Sequence, residues 1–176
     1  PPNAISVASL VFALTGALAM FAAVPDGPLG QRATLLVAAA ACIQLRLLCN
    51  LLDGMVAVEG GLGTRTGAVF NELPDRLADP LLIVPAGYLT GVAWGPELAW
   101  IRLLGASLGL PQDFQGPMAK PHRMATLTLG LLFAALSTPL SLEGSVLLVT
   151  LLVLLIGTGL TAVRRTRTLL RCLVSP

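Results

Sequence analysis

Charge is what this sequence has least of. Only 11% of its 176 residues are Asp, Glu, Lys or Arg, where a soluble domain carries roughly a quarter. So little charge, with so much apolar residue, excludes a disordered chain and fits badly with an ordinary water-soluble globule. Histidine occurs once, as His122, so a histidine-built zinc centre is out of reach. The three cysteines, Cys42, Cys49 and Cys172, form no CxxC pair and are odd in number, which points to neither a disulfide framework nor a thiolate metal site. A net charge of +2 is too small for a nucleic-acid binder. The chain opens on Pro1 rather than Met and reads as a processed or trimmed end, and no signal peptide with a small-residue cleavage site stands before the first apolar run.

What the chain does have is 55% apolar residues and a mean hydropathy of +0.84. The apolar residues fall into six stretches, 4–24, 33–52, 66–90, 95–110, 124–140 and 144–163. Several approach the ~20 residues with which a helix crosses the hydrocarbon core. Runs such as 147–156 lack the two-residue alternation of a membrane barrel. The expected fold is an all-α integral membrane protein, a six-transmembrane-helix bundle in a single domain over 1–176. Glycines at four-residue spacing, Gly87/Gly91 and Gly105/Gly109, predict close helix packing.

Lys and Arg orient this bundle. If the N-terminus is cytoplasmic, the segments 54–66, 111–123 and 164–176 carry Arg65, Lys120, Arg123, Arg164, Arg165, Arg167 and Arg171, while the opposite segments carry Arg32 alone. The positive-inside rule then places both termini in the cytoplasm of a multi-pass protein, with a bacterial inner membrane as the expected location. The 164–171 cluster is explained by anchoring and attraction to anionic lipid.

Arg46, Arg76 and Arg102 fall inside the expected spans, with Asn50, Asp53, Asn71, Glu72, Asp75 and Asp79. Ionisable groups at membrane depth cost several kcal/mol unless paired or hydrated, so they mark a functional site by default. Most of them flank one glycine-rich loop (Gly54, Gly60, Gly61, Gly63), on the second and third spans. Asn50 and Asp53 are three residues apart, and Asn71, Asp75 and Asp79 recur every four, so each set shares a helix face. Oxygen-only donors of this kind suit Mg²⁺ or Mn²⁺, and those ions suit phosphates. Buried ion pairs, Asp75 or Asp79 with Arg76 or Arg46, remain the other reading of the same residues.

The stretch Asn50-Leu-Leu-Asp53-Gly54-Met-Val-Ala57-Val58, eight residues, and Gly67-Ala-Val-Phe-Asn71-Glu-Leu-Pro-Asp75 resembles the CDP-alcohol phosphotransferase signature, D-x2-D-G-x2-A-R-x8-G-x3-D-x3-D. The spacing matches throughout, and Asp53, Gly54, Ala57, Gly67 and Asp75 match in identity. The start Pro2-Asn3-x-x-Ser6 resembles the Pro-Asn-x-x-Thr with which the family's first helix begins. Asn50 and Asn71 stand where the signature has its first and third Asp, as in a branch of the family with an N-x2-D-G…G-x3-N-E-x2-D variant. Val58 replaces the signature Arg, for which Arg65 or Arg46 is a candidate substitute.

The resemblance implies six transmembrane helices, a homodimer, and a metal-dependent enzyme with a cytoplasmic-facing site. Such an enzyme moves a phosphatidyl-type group from a CDP-linked lipid, such as CDP-diacylglycerol, to an alcohol acceptor and releases CMP, in phospholipid synthesis. It implies a divalent cation, Mg²⁺ or Mn²⁺, on Asp53, Asp75, Asn50 and Asn71. The nucleotide would lie against Asn50, Asp53, Gly54, Ala57 and Gly67, and Asp75 would be the general base. Glu72 and Asp79 are extra acids beyond the signature, and a register in which Asp75 and Asp79 take the last two acidic roles is the alternative. Arg102, Lys120 and Arg123 are candidates for an acceptor's phosphate, with Lys120 and Arg123 equally readable as topology anchors. Two other readings of the chain are a catalytically weak or inactive relative that binds a nucleotide-lipid or anion, and a small transporter, whose charges would be scattered over several helices.

Overall fold

The computed structural model describes residues 2–23, 27–59, 67–99 and 120–174. It contains five long helices: α1 (Pro2–Ala22), α2 (Leu29–Glu59), α3 (Gly67–Leu89), α4 (Lys120–Ser137) and α5 (Glu143–Val174), with a 3₁₀ turn at Thr138–Leu140. Residues 95–99 are again helical. Among the described residues no strand occurs, in keeping with the all-α expectation.

Among the described residues four stretches are long and apolar enough to cross a membrane: Ala4–Ala22, Leu29–Val56, Pro121–Leu140 and Glu143–Thr161. The third expected span is different. Only Leu77–Leu89 of α3 is apolar, because the first ten positions of that helix carry Asn71, Glu72, Asp75 and Arg76. Of the fourth expected span, 95–110, all but 95–99 lies outside the described residues. Six spans are therefore not all accounted for.

Two helices outrun their expected ends. α2 has 31 residues and α5 has 32, about 46 and 48 Å at 1.5 Å per residue, against a hydrocarbon core of about 30 Å. Continuous helix therefore carries Asp53, Gly54 and Ala57 rather than the loop expected from 54 onwards, and it also carries the arginines at 164–171.

The bundle is inside-out in the manner of lipid-solvated proteins. Val7, Val11, Leu14, Leu18 and Phe21, spaced three or four apart, form an exposed apolar stripe on α1. Its other face packs small residues, Ala13 and Ala17, into a core built with Leu36, Ala39, Ile43, Leu82, Leu127, Leu131 and Leu147. The α1–α2 and α1–α3 pairs are extensive, and α4 bridges α2 to α5.

The small-residue expectation is corrected in detail. Gly91 has φ +71°, and a Cβ on Gly87 would lie 2.8 Å from the Gly95 carbonyl oxygen. Gly91 lets the chain turn back after α3, and Gly87 admits the start of the next helical stretch, 95–99, at close range. Gly105 and Gly109 lie outside the described residues. A further close helix contact is at Gly130 on α4, where a Cβ would meet Thr150 Oγ1 of α5 at 2.4 Å.

Candidate active site

Alternating helix directions bring four helix ends together. The first turns of α1 and α4, the last turns of α2 and the first half of α3 lie toward one end of the bundle, where two side-chain contacts tie α1 to α2 and α4 to the middle of α3. Ser6 Oγ of α1 donates a 2.5 Å hydrogen bond to Asp53 Oδ2 of α2. Arg123 Nη2 of α4 lies 3.3 Å from Asp79 Oδ2 of α3. The 164–171 arginines of α5 belong to the same end, since α5 starts at the other one, with Gly144 against the Thr90 carbonyl.

Asp53 is 7% exposed and Ser6 is 3% exposed. A buried carboxylate needs a donor, and the Ser6 hydroxyl supplies one at the short distance typical of a charge-assisted O–H···O⁻ bond. Asn50 is one turn earlier on α2 and half-buried. Gly54 is exposed, with nothing within 4 Å of the position its Cβ would take, so the backbone beside Asp53 is open to a ligand.

On α3 the register places Asn71, Asp75 and Asp79 along one face, one turn apart, with Glu72 beside Asn71. Three prolines interrupt this helix, Pro74, Pro80 and Pro85. Each removes the hydrogen bond to the carbonyl four residues earlier, so α3 is locally loosened on both sides of Asp75. Gly67 opens α3, and Ala57 lies in the last turn of α2.

Deeper in the bundle, Arg46 is fully buried about two turns before Asp53. It lies within electrostatic range of both Asp79 and Arg123. The ion-pair reading therefore applies to Asp79, which pairs with Arg123 across the bundle and lies within electrostatic range of Arg46. Arg123 Nε is buried without a hydrogen-bond partner among the described residues. Lys120 is the first residue of α4, while Arg102 and Arg65 lie outside the described residues.

Sequence spacing brought Asn50 and Asp53 to one face and Asn71 and Asp75 to another. It gave Ser6 only a weak helix-start resemblance, and the partner of Asp79 was not foreseen. Among the described residues no three His, Cys, Asp or Glu side chains converge as a metal cluster. The donors present, an Asp53 carboxylate and an Asn50 amide on α2 with Asn71 and Asp75 by register on α3, are all oxygen and fit a hard divalent cation. Two apolar grooves, of about 620 and 360 Å³, lie elsewhere, at the far end of α4 and α5 and between α1 and α3, and neither is lined by these residues.

No family model matches the chain. A phosphatidylinositol phosphate synthase of Mycolicibacterium smegmatis is 28% identical over 146 residues, 73% of this chain and 60% of that protein. The inner membrane protein YnbA of Escherichia coli is 36% identical over 88 residues, 49% of this chain and 40% of that protein. The chain thus spans 60% or less of the length of these two relatives. The crystal structure of Mycobacterium tuberculosis phosphatidylinositol phosphate synthase (PgsA1) with CDP-DAG bound superposes with a TM-score of 0.69 at 23% identity, covering 96% of this chain and 85% of that one. The same protein in complex with manganese and citrate gives 0.68, covering 96% and 81%. The fold is shared with these structures.

Proposed function

We propose that this chain is a member of the CDP-alcohol phosphotransferase family and moves a phosphatidyl-type group from a CDP-linked lipid such as CDP-diacylglycerol to an alcohol acceptor, releasing CMP. The observation that carries the proposal is the buried Asp53 at the end of α2, beside open backbone at Gly54 and at motif spacing from Asp75 of α3. It is supported by the phosphatidylinositol phosphate synthases among the relatives and by CDP-DAG and manganese in the structural neighbours. The Asn50 and Asn71 variant assigns the chain to the branch with Asn at the first and third acidic positions.

Asp53, Asn50, Asn71 and Asp75 would hold Mg²⁺ or Mn²⁺. The cation, when bound, neutralises pyrophosphate charge and eases departure of CMP. Asp53 and Asn50 orient the nucleotide end, and Gly54, Ala57 and Gly67 leave space where a larger side chain would intrude. Asp75 takes the proton from the acceptor hydroxyl as its oxygen bonds to the lipid-side phosphorus and the bond from that phosphorus to the CMP oxygen breaks. Asp79 is the counter-ion of Arg123, which favours the register with Asp75 as base over the shifted one. Arg123 keeps a buried Nε–H for the acceptor's anionic group, with Lys120 and Arg102 as further candidates. The site end is the cytoplasmic one, because the basic residues gather there, and the working unit is a homodimer in a bacterial inner membrane.

In purified nanodiscs with Mn²⁺, CDP-diacylglycerol and a panel of alcohols, the wild type should release CMP. Asp75→Asn should cut that rate by about a hundredfold or more. Full turnover by Asp75→Asn would remove Asp75 from the role of base. The second reading, a relative that binds a nucleotide-lipid without turnover, is favoured by Asn50, Asn71 and Val58. Calorimetry that finds no divalent-cation binding even with CDP present would select it.

A further inference from the structure

We infer that Ser6 is a positioning residue for Asp53, so that the first helix, outside the 50–75 motif, sets the site's affinity for its cation. The inference rests on the functional reading above. Ser6 stands in the second turn of α1 and is 3% exposed, and its hydroxyl donates to Asp53 Oδ2 at 2.5 Å across the α1–α2 interface. Ser9 Oγ, one turn on, donates to the Ser6 carbonyl oxygen at 2.7 Å, which ties down the backbone that carries the hydroxyl.

A carboxylate on a helix can turn about χ1 and χ2. One oxygen held by a buried donor gives Asp53 a single orientation before any ligand arrives. Carboxylates that bind metals are commonly held in this way, and loss of the supporting hydrogen bond costs about 10- to 100-fold in metal affinity or activity. The need is greater in this chain than in a site with four Asp. Asn50 and Asn71 bring neutral amides, so more of the cation's attraction falls on the few carboxylates, and the placing of each one counts for more.

The test is Mn²⁺ binding to the full chain in nanodiscs, followed by the electron paramagnetic resonance signal of free Mn²⁺. Ser6→Ala should weaken binding by about tenfold or more. Ser6→Thr, which keeps the hydroxyl, should bind close to wild type. Ser6→Cys, nearly isosteric but a weak donor, should behave like Ser6→Ala and covers the event that the alanine variant does not fold. CMP release by the Ala and Cys variants should recover at high Mn²⁺, a shift in the activation constant that a merely structural loss would not produce. Mn²⁺ affinity unmoved by Ser6→Ala and Ser6→Cys would overturn this inference alone. No Mn²⁺ binding by the wild type, with or without CDP, would overturn the functional reading and this inference with it.

Discussion

Arg123 and Asp79 carry opposite charges at membrane depth on helices that meet only in the folded bundle. Removing one partner strands the other. Asp79→Ala should therefore destabilise the protein by about 3 kcal/mol, read as a shift in the midpoint of unfolding in mixed detergent and SDS micelles. Arg123→Ala should cost a similar amount and should also raise KM for a phosphorylated acceptor, leaving KM for the CDP-lipid nearly unchanged. The motif residues were legible because their chemistry is written at fixed intervals within 50–75, and interval is what a helix converts into a face. The partners of Asp53 and Asp79 were not, since Ser6 and Arg123 reach them through antiparallel packing, which no local spacing encodes. Arg46 shows both sides of this. Its place inside the second span marked it as needing an anion, while the acid within its electrostatic range, Asp79, comes from α3.

Elements explain which helices were read well. α1 and α2 are close to uniformly apolar over their spans, so their existence followed from composition, and the end of α2 was missed because its helix continues past the apolar run into polar sequence. α3 was read as an ordinary span because its apolar second half dominated a first half that belongs to the site. The α4–α5 contact was not visible, because a lone glycine at 130 has no partner at four-residue spacing. It is nonetheless tight. Gly130→Ala would place a Cβ 2.4 Å from Thr150 Oγ1 and 2.5 Å from Cγ2, and the short β-branched side chain cannot swing away. The expected cost is about 1–3 kcal/mol, visible as a lower melting temperature and partly relieved by Thr150→Ala. CMP release per folded molecule should be unaffected, since Gly130 is far from the Ser6–Asp53 end.

At the scale of the whole molecule, the end opposite the site is closed by a buried ion pair between Arg32 of α2 and Glu143 of α5. Arg32 was counted as the one basic residue of the segments away from the cytoplasm, and the structure buries it at 7% exposure. The pair neutralises it, so the charge asymmetry between the two ends is steeper than a count of residues suggests. Glu143→Gln should destabilise the bundle by about 3 kcal/mol, whereas the double change Arg32→Met with Glu143→Leu should be close to neutral, because replacing a whole buried pair by apolar groups often is. Unfolding of the two variants side by side in SDS would separate these outcomes. There is also a temporal side to this contact. A ribosome makes Arg32 more than a hundred residues before Glu143, which comes only with α5. Until the α4–α5 hairpin enters the bilayer, the second helix must shelter an uncompensated cation, at a cost of several kcal/mol. Arrival of α5 is thus what releases the nascent protein from that burden, and a nascent chain halted before residue 143 should remain longer in the hands of the insertion machinery.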